Sequence, residues 1–283
     1  IAEAWLATCR PDGVNIIENG DFSGKTFEEY INENGIENVC GDFDAFPLLI
    51  KFIDANDKLS VQVHRDDAYA KANGLDAGKT EMWYVVDCEE GAELIYGFNR
   101  HIDKGEFFSR INSNTLSEVC NYVPVKKGDI FFIQAGALHA IGKGILIAEI
   151  QQNSNTTYRI DDYGRVGADG KPRQLHIDKA LDVTELKLPT PPAVAPSEEK
   201  DGYTLTPLAK CEYFDVKKVN IKDKAEFVAD EKSFHAVMIL SNDAVIEYDG
   251  GKLEMTKGDT AFIPANMGKY SIVGECDAIL TTI

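Results

Sequence analysis

The sequence predicts a mainly β protein made of two related modules joined by an extended segment. Most of the chain reads as short strands broken by turn residues, one ten-residue block occurs twice, and a proline-rich stretch lies between the two copies. The strands are clearest over Leu59–His64, Glu81–Asp87, Glu93–Tyr96, Asp129–Ile133 and Ile145–Gln151, with Gly and Asp/Asn clusters between them. That spacing belongs to a β-sandwich or barrel. The chain begins at Ile1, close to a strand-like Ala4-Trp5-Leu6-Ala7, so further residues are expected upstream. Three stretches read as short helices. Thr26–Asn34 follows a Gly-Lys pair, Asp66–Asn73 opens on two acidic residues, and Lys104–Asn121 carries a loose apolar stripe broken around Asn112–Asn114.

Residues 188–202 hold four prolines and a charge run, which disfavours sheet pairing and predicts a linker. The expected organisation is a first domain over 1–187, the linker, and a second domain over 203–283. The repeat supports it: Lys127-Gly128-Asp129-Ile130-Phe131-Phe132-Ile133-Gln134-Ala135-Gly136 is echoed by Lys257-Gly258-Asp259-Thr260-Ala261-Phe262-Ile263-Pro264-Ala265-Asn266. In both, a Gly-Asp turn leads into a strand that ends in a second turn.

The formal net charge of -18 disfavours nucleic acid and anionic membrane surfaces as partners. It also means that a phosphorylated ligand needs a local basic cluster. No apolar run is long enough for a membrane-spanning helix, and no signal peptide is visible. The six cysteines are widely spaced without a C-x-x-C pair, which fits buried thiols in a reducing compartment, hence a cytoplasmic protein.

A metal needs three or four N, O or S donors converging on one point, and in a β fold these come from neighbouring strands. Gln62 and His64 sit two apart on one strand and share a face. Glu81 opens the next strand after Gly78, and His139 follows the Gly136 turn. His101, His176 and His235 lack such contexts and are read as non-ligands.

Gly128-x5-Gln134-x-Gly136-x2-His139 matches the second cupin motif, with Gln134 replacing proline. Gln62-x-His64 and Glu81 match the first motif of one cupin branch. Together with Leu59–His64, Gly78–Tyr84 and Glu149–Arg159, these blocks make the chain resemble the short bacterial form of the type I mannose-6-phosphate isomerases over nearly its whole length. The resemblance implies a tandem cupin of two jelly-roll modules. It also implies one zinc ion in the first, held by His64, Glu81 and His139 with Gln62 as a fourth candidate. Arg65 departs from the pattern, since the family usually has proline there; the expected effect is on the loop rather than on the site.

The implied reaction interconverts mannose 6-phosphate and fructose 6-phosphate through an enediolate. A proton moves between C1 and C2, a metal polarises the carbonyl, and a base works near neutral pH. By resemblance Arg159 is catalytic; a guanidinium stays protonated, so its role is electrostatic stabilisation or phosphate binding. Lys79 and Glu149 are the other catalytic candidates, Glu149 as base if burial raises its pKa and Lys79 as acid–base or orienting partner. Lys51, Ser60, Arg159 and Arg165 are the expected phosphate contacts. In the second module His139 aligns with Lys269, and a looser alignment sets Phe234 opposite Glu81, so that module is expected to be metal-free. Two other functions compete: a non-catalytic cupin that binds a sugar phosphate, and a cupin dioxygenase, against which the Gln-x-His pattern argues. The sequence carries no signal for the oligomeric state.

Overall fold

The computed structural model describes residues 2–167, 170–190 and 195–283. Among the described residues, four larger sheets and one two-stranded ribbon carry the chain, and five short α-helices decorate them. By contact density the chain falls into two compact units. One comprises residues 1–4 and 51–192, the other residues 5–50 and 193–283.

The first unit is built on two five-stranded sheets. One sheet runs Ala2–Ala7, Leu48–Ala55, Ile145–Gln152, Glu81–Cys88, Ile130–Ile133 in spatial order. The other runs Tyr158–Asp161, Val61–Val63, His139–Ala140, Glu93–Phe98, Cys120–Pro124. Alternation along the strands gives the second sheet two different faces. Val61 and Val63 point into an apolar cluster with Phe98, Phe107, Leu138 and Ile160. Gln62 and His139, directly opposite each other in register, point to the other face. Trp83, Val85, Ile133 and Ile147 of the first sheet form a separate core with Tyr96.

The second unit pairs a six-stranded sheet with a four-stranded one around Val219, Val237, Ile239, Ile246, Ile272 and Ala278. Its helix Phe27–Asn34 belongs there because Phe27 and Phe46 stack edge-on with Phe262, and Phe46 also meets Phe234. Gly41, at φ 78°, lies so close to this unit's chain that a Cβ would stand 2.2 Å from the Lys232 carbonyl oxygen. These contacts draw the division differently from the expected 1–187 and 203–283. Residues 5–50 are early in sequence, but their aromatic side chains have their partners in the later segment.

The expected linker is also shorter than 188–202. Residues 191–194 lie outside the described residues. Glu198–Lys200 forms a strand paired with Tyr203–Lys210. It is an exposed edge strand, the position that charged side chains favour, and its prolines lie upstream of the pairing.

The repeated block folds the same way twice. Gly128 and Gly258 take φ of 91° and 98°. The amides of Lys126 and Thr256 each donate to the carboxylate of the turn aspartate, at 2.9 and 2.7 Å. Gly128 N–H donates to Val85 O, and Gly258 N–H to Ile239 O. Strand register then corrects the looser alignment. Glu81 pairs with Ile133 and His235 pairs with Ile263, so His235, not Phe234, occupies the position of Glu81.

All three expected helices form, as Phe27–Asn34, Asp67–Ala72 and Lys104–Asn112. Asp66 and Asp103 accept amide hydrogens at the starts of the last two. The third stops where the sequence breaks its stripe, and Leu116–Val119 continues as a 3-10 turn. Ile36–Cys40 and Ile177–Val183 are helices without a sequence expectation; they are short, and neither has a side-chain N-cap.

Candidate active site

The site lies between the two sheets of the first unit. Gln62 and His139 are cross-strand neighbours, and His64 follows two residues after Gln62. Gly136 N–H donates to His64 O at 2.9 Å, which ties the end of one ligand strand to the turn leading into the other. Glu81 approaches from the facing sheet, paired with Gln151 and Ile133. Donor atoms of His64, Glu81 and His139 all lie within 4.8 Å of one another, and all three residues are buried.

Backbone carbonyls fix the orientation of both imidazoles. His64 Nδ1–H donates to Thr156 O at 3.2 Å, and His139 Nδ1–H donates to Ala137 O at 2.8 Å. A carbonyl can only accept, so each Nδ1 carries the hydrogen and each Nε2 keeps a lone pair. The two Nε2 atoms stand 3.6 and 3.5 Å from the two Glu81 oxygens. His64 Nε2 and Glu81 Oε1 are buried and make no hydrogen bond.

Burial drives the His64 pKa down to about 3, with the Lys79 ammonium acting in the same direction. Burial also lowers that of His139. Burial works to raise the Glu81 pKa, but Lys79 and the two histidines outweigh it and hold the carboxyl well below its usual range. Two neutral imidazoles and a carboxylate, with a polar atom left unpaired, form a donor set that suits a divalent cation such as zinc. Gln62 brings its amide within 3.3 Å of His139 Nε2.

A second carboxylate lies next to this group. Glu149 pairs with Trp83 across the sheet, and Trp83 Nε1–H donates to Glu149 Oε2 at 2.7 Å. Lys51 Nζ stands 3.0 Å from Glu149 Oε1 and 3.5 Å from Glu3. Burial raises the Glu149 pKa and the Glu81 charge adds to this, opposed by Lys51 and Lys79. Lys79 Nζ contacts Glu81 Oε2 at 2.8 Å. Two carboxylates and two ammonium groups thus sit together in a buried site, their charges interleaved.

Arg159 pairs with Gln62, which extends the row of Gln62 and His139 by one strand on the same face. Arg159 Nη1 donates to Gln174 O at 3.0 Å, while its Nε is buried without a hydrogen bond. Burial and the charges of Arg173 and Arg165 lower its pKa, opposed by Asp162. Arg165 and Arg173 both donate to the Asp162 carboxylate. Ser60 is buried and shares the parity of Gln62 and His64. Lys51 does not join these arginines; its ammonium is engaged by Glu149 and Glu3. Trp83, Asp162 and Arg173 are the site residues that sequence reasoning missed. Trp83 was visible as a neighbour of Glu81 on the same strand, whereas nothing local marks the other two.

A two-sheet β unit enclosing a buried His–Glu–His cluster beside paired carboxylates and arginines defines a cupin-type enzyme with a candidate metal centre. Comparison with known proteins narrows the class. The family model for the catalytic domain of type I phosphomannose isomerase matches residues 1–95, and that for the cupin domain of mannose-6-phosphate isomerase matches residues 204–283. The mannose-6-phosphate isomerase ManA of Bacillus subtilis is 37% identical over 99% of this chain and 88% of its own length. The enzyme of that name from Streptococcus mutans is 35% identical over 98% and 87%. The crystal structure of the Bacillus subtilis mannose 6-phosphate isomerase superposes with a TM-score of 0.91 at 35% identity, covering 99% of this chain and 89% of that one. The chain belongs to the type I mannose-6-phosphate isomerases, a family of aldose–ketose isomerases with a cupin fold.

Proposed function

We propose that this chain interconverts mannose 6-phosphate and fructose 6-phosphate through an enediolate, at a zinc site held by His64, Glu81 and His139 with Gln62 alongside. The observation that carries the reading is the pair of imidazoles locked by Thr156 O and Ala137 O so that both Nε2 lone pairs face the Glu81 carboxylate. Bound there, zinc would supply a Lewis acid for the carbonyl and the developing oxyanion.

Glu149 is the proton-transfer base. Its pKa is raised towards the working range by burial and by Glu81. Trp83 and Lys51 hold its two oxygens, so the carboxylate cannot rotate away from the site. It takes the proton from C2 of the aldose and returns it to C1 of the enediolate. Lys79, held on Glu81, orients that ligand, gives a proton to O1 of the aldose and takes back the one that O2 loses as the ketose carbonyl forms. Arg159 offsets negative charge on the bound sugar phosphate. Arg165 and Ser60 remain the phosphate contacts, joined by Arg173 around Asp162. Lys51 serves Glu149 rather than the phosphate. The second unit is read as metal-free: His235 stands at the strand position of Glu81 and meets Tyr270 Oη at 2.7 Å, while Lys269, which aligns with His139 in sequence, is exposed. A cytoplasmic location fits the six cysteines, which are all free thiols.

Turnover of mannose 6-phosphate in D2O tests the assignment. The fructose 6-phosphate formed should carry solvent deuterium at C1, and Glu149→Gln should lower kcat about a hundredfold or more with KM little changed. Full turnover by Glu149→Gln would remove Glu149 from the reaction.

A further inference from the structure

Arg65 immediately follows the ligand His64, and its side chain is only 3% exposed. Its guanidinium spans two segments. Nη2 pairs with Asp76, on the loop between helix Asp67–Ala72 and strand Glu81–Cys88. Nη1 donates to Tyr158 Oη at 3.2 Å, on the strand that continues into Arg159. The backbone contributes a third tie, since Lys79 N–H donates to Arg65 O at 2.9 Å. One residue therefore touches the segments that carry His64, Lys79 with Glu81, and Arg159.

This arrangement is costly. The guanidinium is buried while its Nε makes no hydrogen bond, and its acidic partner is more than half exposed, with a side chain 58% accessible. A buried cation held this way is weak as a stabilising device, and fixing geometry is the better-attested use of such groups. The rest of the loop is already anchored. Gly78 N–H donates to Asp67 Oδ1 at 2.6 Å, and Thr80 N–H donates to Gln152 Oε1 at 2.8 Å. Just before them in the chain, Asp76 is tied down through Arg65.

We infer that Arg65 is a positioning residue that, through Asp76 and Tyr158, sets the loop over residues 73–79 and thereby the placement of Lys79 on Glu81 relative to Arg159. The inference rests on the isomerase reading. A proline at this position would restrain the backbone but hold neither Asp76 nor Tyr158.

Steady-state kinetics and bound-metal content of the whole chain and of Arg65→Met, Arg65→Lys, Asp76→Ala and the Arg65→Met/Asp76→Ala double variant test it. The expected result is a kcat about tenfold lower in Arg65→Met and in Asp76→Ala, with KM within about twofold, metal content unchanged and partial recovery in Arg65→Lys. The double variant should be no slower than the worse single, because both changes break one tie. Variants with the parent's kcat and KM but a lower melting temperature would make the contact merely structural and overturn the inference. So would loss of metal in Arg65→Met, or additive losses in the double variant. A metal-loaded parent that does not isomerise would overturn the isomerase reading itself, a result distinct from unchanged variants of an active parent.

Discussion

His139 carries two duties. Its Nδ1–H is spent on Ala137 O, and its Nε2 faces Glu81. His139→Ala leaves the buried Glu81 carboxylate with one imidazole fewer and removes one donor from the metal group. The purified variant should hold less than one metal ion per chain and turn over about a hundredfold to a thousandfold more slowly, read by metal quantification and a coupled assay. Full metal occupancy in the variant would exclude His139 as a ligand. The clustering of His64, Glu81 and His139 was legible because motif spacing records strand register: a same-face Gln-x-His, a carboxylate opening the next strand, and a histidine three residues after a glycine turn. The charge partners were not legible. Nothing local to Lys51 shows that the sheet sets its ammonium beside Glu149 and Glu3. Arg173 meets Asp162 only through the tertiary fold, and the acceptor for the Trp83 indole lies 66 positions away.

Among the elements, helix Phe27–Asn34 is the one best encoded locally. Thr26 Oγ1 accepts from Glu29 N–H at 3.0 Å, and Glu29 accepts in return from Thr26 N–H at 2.7 Å, a complete capping box. Thr26→Ala should cost about 1 kcal/mol and lower the melting temperature by about 2–4 °C while leaving kcat unchanged, measured by thermal unfolding alongside the assay. An unchanged melting temperature would mean that tertiary contacts, led by Phe27 against Phe46 and Phe262, hold the helix alone. The repeated turn–strand–turn was legible because Gly-Asp chemistry is local. Which residue stands opposite Ile263 was not, because the segment before the strand differs between the copies; register, not similarity, sets His235 there. Strand Glu198–Lys200 escaped notice for a related reason. Its charged residues read as linker, yet an exposed edge tolerates them.

At the scale of the molecule, several buried groups make stability depend on pH. The pKa of His64 falls to about 3 and that of His235 to about 4, both chiefly through burial, and that of His139 is lowered as well. Their unfolded values lie near 6.5, so below that pH the unfolded chain binds protons that the folded chain refuses. Their contribution is fully present above about pH 6.5 and is lost as pH falls towards these lowered values. Glu149, whose folded pKa is raised, opposes the trend above the ordinary carboxylate range. His235 lies away from Glu149 and isolates the histidine effect, so the fall in denaturant midpoint of metal-free protein from about pH 7.5 to about pH 5 should be larger in the parent than in His235→Gln. Equal falls would mean that His235 is protonated in the folded chain. The division into two units was only half legible for a physical reason: a proline-rich segment marks a boundary in sequence, whereas Phe27 and Phe46 find their aromatic partners more than 180 positions later.

The most direct test is the conversion of mannose 6-phosphate to fructose 6-phosphate by the same preparation before chelation, after chelation, and after return of one equivalent of zinc per chain. Turnover that disappears with the metal and returns with it, in step with occupancy at His64, Glu81 and His139, is the expected result. Undiminished turnover in fully metal-free protein, or none in fully loaded protein, would contradict the assignment of the reaction to this site.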